Sequence, residues 1–465
     1  MQTDQQPRFS AKRIALPAGP ILALLATYLM LENGFAMEAA ATLGVTIICV
    51  AWWVFEPIPI PATSMVPLAL LPMLGVITPQ QTAAAYGHPL VLLLLGGFIL
   101  STALARSGAH RRLALTMVRA FGGNSSRSLV FGFMAASAVL SMWISNTATT
   151  LMLLPVAIAV LEKAEDPQLG TPLLLGIAYA ASVGGIGTPI GTPPNVVFMS
   201  IYSDLGLEPI GFATWMTYAI PVVVVFVPIV GLWLTRGLNY KGSVALPEVG
   251  RWETVEKRVL VVFVITAALW IFRLEPWGGW TQWLGVPKTN DAMVALLAVV
   301  AMFVIPDGKG KRLLDWDTAQ QIPWGMLILF GAGLSIAAAF TTSGLSETIG
   351  ALLGGLSALP IAAIILAICL TVTFLTETTS NTATATLLMP ILAAAAIGAA
   401  IDPKLFMIPA AMSASCAFML PVATAPNVIV FSTGRFSIET MAKEGIALNV
   451  LGALIITSVC FLLLA

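Results

Sequence analysis

The feature that most constrains this chain is a polar hexapeptide set inside an apolar run and present twice. Ser145-Asn146-Thr147-Ala148-Thr149-Thr150 lies in the middle of residues 128–161, which contain no Asp, Glu, Lys or Arg. Ser380-Asn381-Thr382-Ala383-Thr384-Ala385 lies near the centre of residues 358–399, where Glu377 is the only charged residue. Hydroxyls and amides in such surroundings are costly unless they have partners. Residues 145–155 and 380–390 are identical at seven of eleven positions, at a constant offset of 235. A second pair follows each copy at an offset of 232: Pro189-Ile190-Gly191-Thr192-Pro193-Pro194-Asn195 and Pro421-Val422-Ala423-Thr424-Ala425-Pro426-Asn427. Ser/Thr and Pro kinks merely packed between helices have no reason to recur as two linked motifs in register. The pattern points to a duplicated membrane transporter whose site lies at the repeat interface.

Composition agrees. The chain is 58% hydrophobic and 9% charged, against about 25% charged residues in soluble domains. It reads as an all-α polytopic membrane protein. Cys49, Cys369, Cys416 and Cys460 lie in apolar segments without CxxC spacing, so they read as packing residues rather than a disulfide frame or zinc site. The polar, basic N-terminus precedes an apolar stretch without a clear cleavage site and reads as leading into a retained first span. There is no Walker or dinucleotide-binding motif, which argues against ATP-driven transport by this chain.

A span needs about 20 apolar residues. Spans are expected at 14–31, 39–55, 62–77 and 89–105, followed by an amphipathic surface helix over the arginine-bearing residues 106–127. Residues 128–161 are too long for one span and short for two, and basic residues flank both ends; a re-entrant hairpin with the polar motif at its tip fits. Residues 167–203, broken at GGIGTPIGTPPN (184–195), read as one span unwound in its middle. Further spans are expected at 209–235, 259–272, 292–306 and 324–340. A second hairpin (358–399), a second broken span (405–433) and a last span (448–465) complete about 11 transmembrane helices plus two hairpins. With the N-terminus cytoplasmic, this topology puts 19 of the 22 Lys and Arg inside, leaving Arg273, Lys288 and Lys404 outside. A full span in place of the first hairpin would put the basic residues of 236–258 and 309–312 outside. The re-entrant form is therefore preferred; it makes the halves inverted and the C-terminus periplasmic.

Paired SNT motifs on hairpins, each followed by a TPPN-like break, resemble the divalent anion/sodium symporter family over essentially the whole chain. The resemblance, to its bacterial sodium-coupled dicarboxylate members, implies an inner-membrane homodimer working as an elevator. Scaffold parts are implied at 1–125 and 241–350. Transport parts are implied at 126–240 and 351–465, each with a hairpin, a broken span and one further span. Implied substrates are C4-dicarboxylates such as succinate, malate and fumarate, moved into the cell with sodium. A sodium-independent exchanger and a citrate or sulfate symporter are the same-fold alternatives.

The resemblance also maps a site. A first sodium ion falls to Ser141, Ser145, Asn146 and Gly191, and a second to Thr376, Thr379, Ser380, Asn381 and Ala423. Substrate contacts fall to Asn146, Thr147, Thr192, Pro193, Asn381, Thr382, Thr424 and Ala425, the last at a position where the family commonly has proline. The chemistry is coherent without Lys or Arg in the motifs: helix N-termini, Asn and Thr hold the anion, while sodium, a hard cation, takes oxygen ligands. Glu377 reads as accepting backbone N–H groups rather than carrying protons, since its counterpart is Met142. His88 and His110, with no carboxylate nearby in sequence, read as interfacial, and Trp52 and Trp53 as lipid or dimer packing. A proton-coupled or arsenite-type carrier is disfavoured by the twinned SNT. A channel would need a continuous pore, and a hydrolase a nucleophile with its base or paired metal ligands.

Overall fold

The computed structural model describes residues 11–120, 125–240, 250–274, 278–353 and 359–465. Among these the chain is helical; the only β contact is an isolated bridge between Pro306 and Arg312. Seven helices are long and apolar enough to cross a membrane alone. Seven more of the described helices are shorter and apolar, among them both arms of the first hairpin. Side chains such as Leu24, Val224 and Leu297 are more than 60% exposed, as befits helices whose outer faces meet lipid rather than water.

The first hairpin consists of Ser126–Ser141 and Asn146–Leu161. Its two ends are tied together: Ser126 Oγ donates to Asp166 Oδ2 at 2.5 Å, and Tyr240 OH donates to Glu165 at 2.7 Å. Entry and exit therefore lie on one side. Gly170–Gly185 and Pro193–Asp204 form the first broken span, and Phe212–Leu234 follows. The second half repeats this order with Ile361–Thr376 and Asn381–Gly398, then Lys404–Ser413 and Ala425–Phe431, then Ile438–Leu464.

Ion pairs sort the loops as the charge count does. Arg106–Asp315 (2.5 Å), Arg112–Glu256 (2.9 Å) and Lys309–Glu253 (2.7 Å) join segments expected inside. Arg273–Asp291 (2.6 Å) and Lys404–Asp402 (3.8 Å) lie in segments expected outside. Arg8 and Lys241, also in that count, lie outside the described residues. Cysteines introduced at Gln168 and Lys288 are thus expected to react with impermeant reagents only from the cytoplasm and only from outside, respectively. Labelling of position 168 from outside would make the first hairpin a full crossing.

Several details differ from expectation. The third span is two pieces, Ile60–Thr63 and Val66–Met73, with Pro67, which has no N–H to carry the helix across the break, in the first turn of the second piece. Pro79–Tyr86, with a Thr78/Gln81 capping box, precedes the fourth. The unanticipated helix Leu345–Leu353 packs on Asn381–Gly398 so closely that a Cβ on Gly398 would sit 2.2 Å from the Gly350 carbonyl. A domain boundary at 350/351 would cut this helix. Trp53 is buried inside the chain and donates to Ser64 Oγ at 3.1 Å; Trp52 lies against Gly19 and donates to the Ala15 carbonyl at 3.2 Å. Neither is a simple lipid-facing anchor.

Candidate functional site

Eight helix ends meet at one place. Helices ending at Ser141, Gly185, Thr376 and Ser413 bring their carbonyl ends; helices starting at Asn146, Pro193, Asn381 and Ala425 bring their N–H ends. The N-cap residues of the second set are Ser145, Thr192, Ser380 and Thr424, drawn in pairs from the two repeated motifs. Partial positive charge at N-termini favours an anion, and carbonyl ends favour a cation. One polar centre is thereby equipped for both, without a charged side chain in the motifs.

The four N–H ends border a cavity of about 1020 Å³. Of the expected site residues, Ser145, Asn146, Thr147, Gly191, Thr192, Pro193, Thr379, Ser380, Asn381, Thr382, Ala423, Thr424 and Ala425 line it. Ser141 and Thr376 sit one layer behind and reach it through the asparagines. Ser141 Oγ donates to Asn146 Oδ1 at 2.6 Å, and Thr376 Oγ1 donates to Asn381 Oδ1 at 2.7 Å, the same arrangement in both halves. Thr376 also lies 3.1 Å from the Ala414 carbonyl. Gly185 keeps its backbone against Asn146: a Cβ there would stand 2.6 Å from Oδ1. These clusters offer only oxygen, the donor set a hard monovalent cation prefers. Thr379 is turned toward Thr384 Oγ1 (2.5 Å) and the Leu375 carbonyl (2.9 Å), so its hydroxyl is already engaged within the hairpin. Ser145 Oγ caps Ala148 N at 3.2 Å.

Lys12, Phe55, Glu56, Gln321 and Pro323 complete the rim, on the side expected to be cytoplasmic. Lys12 and Glu56 stand 4.0 Å apart and largely exposed, a pairing worth little energetically. A second cavity of about 750 Å³ lies on the other side, bordered by His88, Asp204, Glu347 and Gly398. There His88 Nε2 approaches Asp204 Oδ1 at 3.5 Å, so His88 does have a carboxylate, supplied by the fold rather than by its sequence neighbours. His110 contacts the Leu104 carbonyl at 3.1 Å.

Four residues outside the expected set hold the unwound segments. Asn195 Nδ2 donates to the carbonyls of Gly185, Ile186 and Thr188 at 2.8–3.2 Å. Asn427 Nδ2 donates to those of Ala417 and Leu420 at 3.0 Å. Both end the repeated Pro motifs, so the signal was present in the 232-residue offset. Tyr179 OH donates to the Phe418 carbonyl at 2.7 Å, joining the two broken spans. Glu377 accepts backbone N–H groups, as expected, but from the unwound segment 418–420 rather than from its own hairpin.

An all-helical, lipid-exposed chain with paired broken helices around one polar cavity is a polytopic membrane transporter. Structural likeness agrees: the Alcanivorax borkumensis YdaH transporter superposes with a TM-score of 0.57 at 16% identity, covering 83% of this chain and 86% of that one. Neisseria gonorrhoeae MtrF, from a class of antimetabolite efflux pumps, gives 0.59 at 15% identity over 84% and 83%. At that identity the likeness speaks for the fold alone. Residues 50–404 match the family described as "Citrate transporter". "Sodium-dependent dicarboxylate transporter SdcS" of Staphylococcus saprophyticus is 38% identical, covering 97% of this chain and 91% of the relative. The protein of that name from a bovine strain of Staphylococcus aureus is 37% identical over 98% and 92%. The chain belongs to this transporter family, the divalent anion/sodium symporters that its motifs resemble.

Proposed function

We propose that this protein is a sodium-coupled symporter of C4-dicarboxylates such as succinate, malate and fumarate. The observation that carries the reading is the convergence of four helix N-termini and two matching Asn–hydroxyl oxygen clusters on one cavity. The names of the staphylococcal relatives support the same substrate and ion. The dianion sits among N–H ends, Asn146, Thr147, Thr192, Asn381, Thr382 and Thr424. Sodium sits among carbonyl ends, Ser141, Asn146, Thr376 and Asn381. Because the asparagines belong to both sets, filling the ion sites orders the groups that meet the substrate, which is how binding of one favours the other.

The halves act as an inverted pair in a homodimer. The hairpin-bearing parts carry the cavity past the scaffold as an elevator, and the state described opens toward the Lys12–Glu56 rim. Uptake of labelled succinate into proteoliposomes is the test. Uptake should depend on an inward sodium gradient; equal uptake in potassium with succinate preloaded would make the protein an exchanger.

A further inference from the structure

Glu377 is 3% exposed, yet it is a carboxylate in the middle of a membrane-spanning bundle. Such a group is expensive there and calls for an account. Its oxygens are fully engaged. Oε1 accepts from Phe418 N at 2.7 Å, Met419 N at 2.9 Å and Asn449 Nδ2 at 2.7 Å, and Oε2 accepts from Leu420 N at 3.0 Å. Three successive amides aimed at one anion are the arrangement by which backbone binds negative charge; here the anion belongs to the protein. The same unwound segment is held from its carbonyl side by Tyr179 and Asn427. Against its back lies Gly445, where a Cβ would stand 2.3 Å from the Phe418 carbonyl.

The position matters because Glu377 directly follows Thr376, whose hydroxyl bridges Asn381 Oδ1 and the Ala414 carbonyl. Ala414 begins the unwound segment that Glu377 grips four to six residues later. In the first half the equivalent link runs differently: Met142 offers its backbone carbonyl to the Thr188 hydroxyl, and no charge is involved. The duplicated site is therefore asymmetric, with a buried carboxylate holding the unwound segment in the second half and an apolar methionine at its counterpart.

We infer that Glu377 is a positioning residue for cation binding in the second half. It orders residues 414–420 through their amides, so that the Ala414 carbonyl, Thr376 and Asn381 stay aligned as oxygen ligands. This rests on the sodium-coupled reading above. Groups that orient a metal's ligands typically alter its affinity roughly 10–100-fold when removed. Glu377 touches neither ion nor substrate, so its effect should fall on sodium rather than on the dicarboxylate.

The test uses the purified full-length protein, with two readouts. One is the rise in melting temperature on adding sodium chloride in place of potassium chloride, without dicarboxylate. The other is transport, with the sodium half-saturation and the succinate KM at saturating sodium measured separately. Glu377→Gln should raise the sodium half-saturation roughly 10–100-fold and shrink the sodium-dependent melting shift, with the succinate KM changed less than about threefold. Tyr179→Phe removes one hydroxyl from the other side of the same segment and should act in the same direction, about 3–10-fold. A lowered melting temperature with an unchanged sodium response would make Glu377 merely structural and overturn the proposal. If Glu377→Gln does not fold, Tyr179→Phe decides: a normal sodium half-saturation overturns it. A wild-type protein without any sodium-dependent shift would overturn the sodium reading itself, whereas equal shifts in wild type and Glu377→Gln overturn this proposal alone.

Discussion

Replacing Asn146 or Asn381 by alanine is expected to abolish sodium-driven dicarboxylate uptake while leaving a folded protein. Each asparagine is only partly buried at a hairpin tip, so its loss opens no large void. What is lost is polar. Oδ1 of Asn146 is the acceptor for Ser141, and Oδ1 of Asn381 for Thr376. Removing it leaves the Ser141 hydroxyl without its partner, or the Thr376 hydroxyl with the Ala414 carbonyl alone, and subtracts one oxygen from the cluster, a penalty of about 1–3 kcal/mol in binding. That is roughly a 5- to 150-fold weaker ion site. Because the same side chain also lines the substrate cavity, ion and dicarboxylate binding weaken together, and coupled transport depends on their product. Sodium titration and uptake by each purified variant check this. Ordinary sodium dependence in either would remove that asparagine from the site.

The hairpins, the broken spans and the grouping of the repeated motifs around one cavity were readable from the chain because each rests on local chemistry. An uncharged run of 34 residues with a polar centre admits few membrane-compatible forms, and the Gly/Pro density at 184–195 cannot continue a helix. Ser145 and Thr424 became N-caps for an equally local reason, each hydroxyl accepting from the N–H three residues on. What was not readable depends on groups far apart in sequence. Tyr179 and Phe418 are 239 residues apart, and Glu377 meets Asn449 across 72. No pattern around either residue announces its partner. His88 is the clearest case: nothing acidic stands near it in sequence, yet the end of Pro193–Asp204 brings Asp204 to it. Helix Leu345–Leu353 escaped notice because it is short, and its fit to Asn381–Gly398 rests on two glycines, Gly350 and Gly398, that carry no periodic signal.

The form of substrate accepted should follow from the same chemistry. The motif residues around the cavity are neutral, and among the described residues that line it Lys12 is the one basic side chain, at the rim beside Glu56, so the two carboxylates do not each have a basic partner there. Recognition then rests on helix N-termini and hydroxyls, and the two SNT tips offer them twice. A dicarboxylate engages both ends at once, with Thr147 toward one carboxylate and Thr382 toward the other. Succinate loses its second proton at about pH 5–6, raised above an ordinary carboxylic acid by the neighbouring negative charge. The bound form is the dianion, so the sign is fixed: lowering the pH through that range removes substrate. Uptake should therefore fall below about pH 6 in proportion to the remaining dianion, with the sodium half-saturation little changed. Butyrate, with a single carboxylate, leaves one tip unmatched and its donors unpaired, a cost of about 1–3 kcal/mol. It should compete roughly 5- to 150-fold less well than succinate, since each 1.4 kcal/mol is a factor of ten. Competition against labelled succinate at pH 7.5 measures this directly. Equal inhibition by butyrate and succinate at matched concentration would mean that only one anionic group is read, and that the two tips do not share the substrate.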